Sequence, residues 1–420
     1  MVLELLNFRC SRMNGRRPGC KSPLPIGTDM RIVKSLRHVS AIALLSVVSS
    51  RGFAQTEFER IPAEHLRQIA SMEAHPPIQV HPFSTVGPTG YSPATVRDAY
   101  GISSLINAGN TGAGQKIGIV VAYGSSTIQK DLDKFCSTFG IPSTTVQIAY
   151  PAGTPRQSDS GWAMETTLDV EWAHATAPSA TIVLEVVPTA ALNSLLSGVT
   201  AAVNAGASQV SMSWGSSEFS GEKSFDYVFL TSGVSFFCAS GDSGAGTSWP
   251  AASPYVTGVG GTTLNHNAST GTYSEVAWSG SGGGKSAYES RPSFQNGWQP
   301  ASGRGIPDVS FVANPNTGVS ICYTSGGKQV WTVVGGTSAG SPQWAGITAL
   351  VNSHRKAVGK SPISRITTAL YAAASSAYSA DFYDVTSGND GGYNAGLKYD
   401  FVTGLGSPHV AALFSTLVAQ

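Results

Sequence analysis

The chain has 420 residues, 48 of them glycine, with only 12 % charged residues and a formal net charge of +1. This length allows one large domain or two smaller ones. The basic residues are concentrated in the first 60, so residues 61–420 carry 16 Lys and Arg against 21 Asp and Glu. Such a mildly acidic body argues against nucleic acid as the main partner. The abundance of glycine and small hydroxyl residues suggests a secreted protein.

Residues 30–54 have the pattern of a secretory signal peptide. A positively charged start at 30–37 precedes a short apolar core at 39–48, and small residues follow at 52 and 54. We therefore expect cleavage after Ala54 and a secreted protein, extracellular or periplasmic. Residues 1–29 precede a complete signal and are interpreted as an upstream extension from a false start. No apolar run is long enough to span a membrane.

Residues 55–88 are polar and punctuated by proline, with one helical pattern near residues 63–72. We expect this stretch to be a short N-terminal segment or linker. From residue 115 onward, apolar strand patterns alternate with helical ones. The strand patterns are at 116–122, 146–150, 181–187, 209–213, 234–239 and 330–334, and the helical ones at 128–139, 161–175, 192–205, 222–231 and 341–355.

This alternation predicts an α/β fold with a mostly parallel sheet that is covered by helices on both faces. In such sheets the reacting groups gather at the carboxyl ends of the strands. Asp242 and Ser338 each follow a predicted strand. Both side chains are therefore candidates for a functional site.

A turn of small residues surrounds Ser338. Residues 335–346 read Gly-Gly-Thr-Ser-Ala-Gly-Ser-Pro-Gln-Trp-Ala-Gly, between a predicted strand and a predicted helix. Free N–H groups in the first helical turn can stabilise an oxyanion, and small neighbours admit a substrate carbonyl. Ser338 is thus a candidate nucleophile if a nearby group takes its proton. A capping serine in a tight turn is an equal alternative.

A histidine is the first kind of base to consider for Ser338. Residues 336–340 satisfy the Gly-x-Ser-x-Gly pattern of α/β-hydrolases, which needs an acid and then a histidine downstream. Asp384 or Asp400, followed by His409, would complete an esterase of that fold. The proline and apolar residues after the turn look more like the nucleophile helix of subtilisin-type proteases. Those enzymes need an upstream histidine in a glycine-rich turn, and none is present.

Two carboxyl groups offer a different base. Glu165 and Asp169 are four residues apart, so they share one face of a predicted helix that also carries several large apolar residues. An exposed acidic face is the simpler interpretation, but this helix should be mostly buried. Carboxyl groups that face each other in a buried cleft share protons, and one pKa rises. One of them could accept the Ser338 proton while the other orients it.

Taken together, the motifs resemble the sedolisin family of serine-carboxyl peptidases. The resemblance covers residues 88–420. It rests on Gly-Tyr-Ser-Pro at 90–93, Glu-x-x-x-Asp at 165–169, Ser-Gly-Asp-Ser-Gly at 240–244, Pro-Ala-Ala-Ser-Pro at 250–254, Ile-Pro-Asp-Val-Ser at 306–310, Gly-Gly-Thr-Ser at 335–338 and Thr-Gly-Leu-Gly-Ser-Pro at 403–408. Each motif alone is a weak signal, whereas all of them in the family's order are strong evidence.

The resemblance implies one subtilisin-like domain at 89–420 that cleaves polypeptides through an acyl-enzyme. It implies Ser338 as the nucleophile, Glu165 as the base, Asp169 as the orienting acid and Asp242 as the oxyanion-hole side chain. A carboxylate has no proton to donate, so Asp242 can fill this role only when it is protonated. An acidic pH optimum follows from that requirement. A turn-capping role is the alternative for Asp242.

The segment at 384–400 resembles the calcium site of the same family. By position, the ligands of one structural Ca²⁺ would be the side chains of Asp384 and Asp400 and the carbonyl groups of Val385, Gly396 and Lys398. Carboxylate and carbonyl oxygens are suitable hard ligands for this ion. Family members often have glycine where Lys398 stands. An ordinary loop rich in Asp, Gly and Asn is the alternative.

The stretch at 55–88 is shorter than the folded propiece that family precursors usually carry. We therefore expect no full-length propiece. The three cysteines after the signal allow at most one disulfide. Besides polypeptide substrates we expect no membrane or nucleic-acid partner, and a monomer. A secreted pseudopeptidase that binds peptides without cutting them is the non-enzymatic alternative.

Overall fold

The structure is a computed structural model that describes residues 61–80, 85–267 and 269–420. The described residues form one compact unit. Ile61, Ile69 and Ala74, in the stretch before residue 88, belong to the main hydrophobic core. The predicted signal peptide and upstream extension, at residues 1–54, lie outside the described residues.

Five α-helices of the described residues coincide with predicted helical patterns and four were not predicted, while the pattern at 222–231 forms a 3₁₀ helix instead of an α-helix. They are α1 (Ala63–Ser71), α2 (Pro93–Ala99), α3 (Ile102–Asn107), α4 (Ile128–Phe139), α5 (Ser160–Thr176), α6 (Leu192–Asn204), α7 (Gly340–Ala357), α8 (Ile366–Asp381) and α9 (Val410–Ala419). Short 3₁₀ helices cover Glu222–Phe229, Ser293–Gln295, Pro315–Thr317 and Thr337–Ala339. None of these helices is long and apolar enough to cross a bilayer.

The strands outnumber those that the sequence patterns indicated. They are β1 (Gln79–Val80), β2 (Lys116–Ala122), β3 (Gln147–Ala149), β4 (Thr181–Val187), β5 (Gln209–Met212), β6 (Ser216–Ser217), β7 (Ser235–Ala239), β8 (Ser248–Trp249), β9 (Thr257–Asn267), β10 (Thr272–Ala277), β11 (Gly284–Ser290), β12 (Gly303–Ile306), β13 (Val309–Val312), β14 (Val319–Ser325), β15 (Lys328–Gly335), β16 (Phe382–Tyr383) and β17 (Ser407–Pro408).

The central sheet has the strand order β10-β9-β7-β5-β2-β4-β3, and β13 also pairs with β9. All of these pairs are parallel except β10 with β9. Strands β2 and β4 are buried along almost their whole length, as expected for a sheet with helices on both faces. The fold class predicted from the sequence is confirmed.

The strand that leads to Ser338 does not belong to this central sheet. Strand β15 pairs antiparallel with β14 on one side and with the short β1 on the other. The apolar pattern at 330–334 correctly indicated a strand, but its partners are a hairpin neighbour and the N-terminal segment. Ser338 is thus approached from a separate three-stranded sheet.

Helices α5 and α7 cross closely at Gly346. A side chain there would press on Thr176 of α5, with atoms only 2.7 Å from the position of a Cβ. Glycine allows the two helix backbones to approach. This approach matters because α5 carries Glu165 and Asp169, while α7 begins two residues after Ser338.

The three cysteines of the described region, Cys136, Cys238 and Cys322, are all buried free thiols. Burial raises the pKa of each thiol above its usual value. The disulfide that the sequence allowed is not formed among these three residues. Thiols with a raised pKa also react slowly, because the thiolate is the reactive form.

Candidate active site

Helix α5 holds two carboxyl groups in the interior of the protein. It begins at the cap of Asp159, whose side chain accepts a hydrogen bond from the Trp162 amide at 2.9 Å. Every residue from Glu165 to Thr176 is buried. The helix is fixed to β14 by the indole of Trp172, which donates to the Ser320 carbonyl at 3.0 Å. The carboxyl groups therefore lie on a rigid element instead of a mobile loop.

The hydroxyl of Ser338 contacts one of these carboxyl groups. Ser338 Oγ donates to Glu165 Oε2 at 3.0 Å, and both residues are fully buried. In this structure Ser338 makes no side-chain cap at the start of α7. The capping alternative is therefore set aside, and the geometry is that of a serine paired with a carboxyl base.

Asp169 lies one turn further along α5 and is held by Ser213. Ser213 Oγ donates to Asp169 Oδ1 at 2.6 Å and is 3.4 Å from the Ser338 carbonyl oxygen. Ser213 directly follows strand β5, so a residue at the end of a central strand contacts both Asp169 and the backbone of Ser338. One oxygen of each carboxyl group, Glu165 Oε1 and Asp169 Oδ2, is buried without a hydrogen-bond partner in the described region.

Asp242 approaches the nucleophile turn from the other side. Its Oδ1 accepts from the Thr337 amide at 2.8 Å and from Thr337 Oγ1 at 2.9 Å. Its Oδ2 is buried and unpartnered among the described residues. A Cβ on Gly336 would collide with this oxygen, and φ at Gly336 is +108°, a value that favours glycine. A glycine is therefore required for Asp242 to lie so close to the turn.

All three carboxyl groups retain protons more strongly than usual. Burial raises the pKa of Asp242 to about 7, although the hydrogen bonds from Thr337 oppose the shift. Burial raises the pKa of Asp169 to about 8. The pKa of Glu165 lies well above its usual value, first because of burial and then because of the neighbouring Asp169 charge. Partial protonation allows such a cluster of carboxyl groups to avoid mutual repulsion.

The histidine-based alternative does not assemble. His409 is exposed at the start of α9, where its ring meets the edge of Tyr383 at 6.2 Å. Asp384 and Asp400 accept hydrogen bonds from their own loop. The hydroxyl of Ser338 donates to Glu165, so the described structure favours the carboxyl base over the triad Ser338, Asp384 or Asp400, and His409.

The predicted calcium ligands occupy one loop region. Asp384 Oδ1 accepts from the Lys398 amide at 2.9 Å, and Asp400 Oδ2 accepts from the Gly396 amide at 3.1 Å. Within the described ranges, neither carboxylate has a salt-bridge partner, and the carbonyls of Val385, Gly396 and Lys398 accept no hydrogen bond. The donor set of hard oxygens therefore fits a calcium ion.

The backbone of Lys398, in this loop, has an unusual conformation. Its φ is +64°, a left-handed conformation that non-glycine residues adopt infrequently. The lysine thus adopts backbone angles that glycine adopts more readily.

Two hydroxyl residues of the site were not predicted. Ser213 binds Asp169, and Thr337 binds Asp242. Thr337 lies next to Ser338 in its motif and Ser213 ends a predicted strand, yet a single serine or threonine carries no pattern of its own. Adjacency to a strand end or to the nucleophile was the signal available.

Comparison with known proteins agrees with this geometry. The subtilase family profile matches residues 152–380. The solved structure of Pseudomonas sedolisin, a serine-carboxyl proteinase complexed with two molecules of pseudo-iodotyrostatin, superposes with a TM-score of 0.67. It shares 29 % sequence identity and covers 80 % of this chain and 99 % of that one. The fold and the site define a serine-type peptidase of the subtilase class.

Individual relatives identify the family within this class of peptidases. Sedolisin from Pseudomonas sp. (strain 101) is 31 % identical, over 86 % of this chain and 69 % of its own length. Kumamolisin from Bacillus sp. (strain MN-32) is 31 % identical, over 80 % and 65 %. Human tripeptidyl-peptidase 1 is 32 % identical over 44 % and 38 %. The chain belongs to the sedolisin family, and it spans about two thirds of the two bacterial relatives.

Proposed function

We propose that this protein hydrolyses peptide bonds of polypeptides in acid solution, through an acyl-enzyme on Ser338. The observation that carries the proposal is the buried hydrogen bond of 3.0 Å from Ser338 Oγ to Glu165 Oε2. No histidine is needed, because an ionised Glu165 can accept the hydroxyl proton as Ser338 attacks the substrate carbonyl. Protonated Glu165 then returns the proton to the leaving amine.

Asp169 and Ser213 position the base. Ser213 holds Asp169 Oδ1, so the second carboxyl group stays beside Glu165 on the same helix face. One proton shared between two carboxyl groups leaves a negative charge for Glu165 to use as a base. In this role Asp169 orients the base and tunes its proton affinity, and it does not contact the substrate.

Asp242 stabilises the oxyanion. Thr337 fixes its Oδ1 with two hydrogen bonds, which leaves Oδ2 as the oxygen that carries the proton. The raised pKa of about 7 keeps this proton in place throughout the acid range. A neutral carboxyl group that donates a hydrogen bond to a developing negative charge is an effective electrostatic catalyst, worth about 3 kcal/mol.

Digestion of an unfolded protein over a range of pH, with Ser338→Ala as the control, tests the proposal. We expect the wild type to release peptides in acid solution and Ser338→Ala to release none above background, because the acyl-enzyme cannot form. A wild type that binds the unfolded protein without cutting it at any pH would identify a pseudopeptidase. Ester hydrolysis that persists in Glu165→Gln would favour the esterase.

We also propose one structural calcium ion, bound by Asp384, Asp400 and the carbonyls of Val385, Gly396 and Lys398. The support is that, within the described residues, these carbonyl oxygens accept no hydrogen bond and neither carboxylate has a salt-bridge partner. The ion would fix the loop between β16 and β17, and no catalytic step needs it.

A chelator is therefore expected to lower the melting temperature. Removal of the ion costs the folded state its binding free energy, about 2.7 kcal/mol when the ion is present at 100 times its dissociation constant. Asp400→Ala should melt low from the outset and respond little to added calcium. Thermal unfolding monitored by circular dichroism checks this, with the exposed Asp133→Ala as control. Identical curves for metal-free and calcium-loaded wild type would refute the site.

We propose secretion, extracellular or periplasmic, on the basis of the signal pattern at residues 30–54. We likewise propose that the enzyme acts as a monomer on polypeptides. Separation of cell culture into cells and medium, followed by N-terminal sequencing of the exported chain, tests the first statement.

A further inference from the structure

A basic cavity of about 830 Å³ lies outside the candidate active site. Its volume is in the range of sites that hold a small molecule, about 300–1,000 Å³. Four cationic side chains line it, those of Lys223, Arg291, Arg355 and Arg365. Among the described residues, Glu289 is the one carboxyl side chain in this lining. The excess of positive charge indicates a site for an anion.

The basic cavity and the catalytic residues lie at opposite ends of strand β7. Tyr255, Ser364 and Arg365 also line a smaller cavity of about 150 Å³. That smaller cavity reaches Ser235, the first residue of β7. Asp242, in contrast, follows the carboxyl end of the same strand. A ligand in the basic cavity would therefore leave the catalytic cleft free.

The exposed cations of the basic cavity are not neutralised by the protein. Arg291 donates to the Gln299 carbonyl oxygen at 3.0 Å. Arg365 lies 5.2 Å from the ring centre of Tyr255, and Lys223 is exposed. Within the described ranges none of these three cations has a salt-bridge partner. Since like charges repel one another, an anion bound among them would be stabilising.

Arg355 is a buried cation that is held in a fixed position. Its side chain is only 8 % exposed, and Nε and Nη1 donate to the carbonyl oxygens of Ser361 and Leu417, each at 2.8 Å. The Leu417 carbonyl lies near the end of α9, where the helix dipole offsets part of the positive charge. No carboxylate pairs with Arg355 in the described part of the chain. A buried charge without a counterion is costly, so an anion beside it would be favoured.

The first turn of α8 adds backbone donors to the same cavity. Arg365 occupies the cap position, and its side chain makes no capping hydrogen bond. Thr368 and Ala369 line the cavity. In the structure as described, the amides of residues 366–368 donate to no carbonyl or side chain. Free amides at the start of a helix favour an anion, and here they lie beside the cations.

Glu289 does not cancel this positive charge in acid solution. Burial raises the pKa of Glu289 to about 8, and the neighbouring Asp226 adds to the shift. Glu289 is therefore neutral where we propose that the enzyme works. The carboxyl groups of a ligand also lose charge in acid, since their ordinary pKa is about 4. A phosphate group keeps one negative charge below its second ionisation, at about pH 6.

We propose that this cavity binds a small anion with several phosphate groups. One phosphate is too small to meet four cations around such a volume, whereas a short chain of phosphates can reach them. Its oxygens would accept from Arg365, from the first-turn amides of α8 and from Arg355. The choice of phosphate over carboxylate rests on the proposed action in acid solution, whereas the choice of an anion does not.

Calorimetric titration of Ser338→Ala with inorganic tripolyphosphate, in acid solution, tests the site without digestion of the sample. The further substitutions Lys223→Gln and Arg365→Gln, at two exposed residues, should together weaken binding by about tenfold. Lys134→Gln, at an exposed residue of α4 outside the cavity, should bind like the parent. Any calcium that tripolyphosphate extracts would contribute equally in all of these proteins. Equal affinity with and without Lys223 and Arg365 would overturn the site.

Thr368→Asp tests the cavity without the loss of a cation. An acidic residue in the first turn stabilises a helix, so the variant should fold and should bind tripolyphosphate more weakly by about tenfold. Unchanged affinity would count against the site as strongly as in the glutamine variants.

Two further ligands define the chemistry of the anion. Adenosine triphosphate carries the same three phosphates, so tighter binding than tripolyphosphate indicates an organic phosphate, and equal or weaker binding an inorganic one. Citrate that binds as tightly as tripolyphosphate would overturn the choice of phosphate. If the wild type digests an unfolded protein but Ser338→Ala binds none of these anions, the inference fails and the proposed function stands. Binding without digestion by the wild type would have the opposite meaning.

Discussion

Glu165→Gln is expected to lose proteolytic activity by a factor of about 10²–10⁴, the usual contribution of a general base. The amide keeps the shape of the side chain and can still lie beside Ser338 Oγ, but it cannot accept a proton. The loss should appear in kcat, because the group acts on the transition state more than on substrate binding. Initial rates of peptide release from an unfolded protein in acid solution measure it.

Two control variants make this test specific. His409→Ala removes the histidine that the esterase alternative requires, and it should retain most of the activity. Glu185→Gln changes another buried glutamate, on β4, that makes no hydrogen bond to Ser338. It should also remain active. Activity that survives Glu165→Gln and disappears in His409→Ala would reverse the assignment of the base.

On the alkaline side of the pH profile, activity should follow the fraction of Asp242 that is protonated. Asp242 donates to the oxyanion only while protonated, and its pKa is raised to about 7 by burial. Activity should therefore be lost as the pH rises through neutrality. On the acid side, the Glu165–Asp169 pair must give up one proton. Water that enters the cleft during turnover lowers the raised pKa of a buried carboxyl group toward its usual value. A maximum well below neutrality follows.

The variant Asp242→Asn tests whether deprotonation of Asp242 causes the loss of activity above neutrality. The amide oxygen can accept from Thr337 as Oδ1 does, and the amide nitrogen donates at every pH. Whatever activity the variant retains should fall less steeply above neutrality than that of the wild type. Asp98→Asn, on an exposed carboxyl group outside the site, should leave the profile unchanged. A wild type most active in alkaline solution would contradict the assigned role of Asp242.

The first half of the domain could be read from the sequence almost residue by residue. The patterns at 116–122, 128–139 and 181–187 coincide with β2, α4 and β4, because buried parallel strands and amphipathic helices have distinct periods. Strand β9 was missed, since its glycines and polar residues do not form an apolar run. Tertiary packing against β7 and β13 holds it instead.

The active-site residues could be predicted from their chemistry and from the order of the motifs, whereas the residues that contact them could not. Glu165 and Asp169 could be placed on one helix face from their spacing. Ser213 could not be paired with Asp169, because the two are far apart in sequence and meet only in the folded chain. The same holds for His75 and Gln79, whose pairing with Gly215 and Gly335 could not be predicted from the short, proline-containing sequence around them.

The buried carboxyl pair on α5 also affects how the stability of the folded protein depends on pH. The pKa of Asp169 is about 8 in the folded protein against 3.8 as its ordinary value, so the folded state binds protons more tightly than the unfolded state. This contribution to stability is complete below pH 4 and is lost as the pH rises through about 8. An enzyme that leaves an acid environment would then lose durability as well as activity. We therefore expect the stability of the folded protein to decline over the same pH range as its activity.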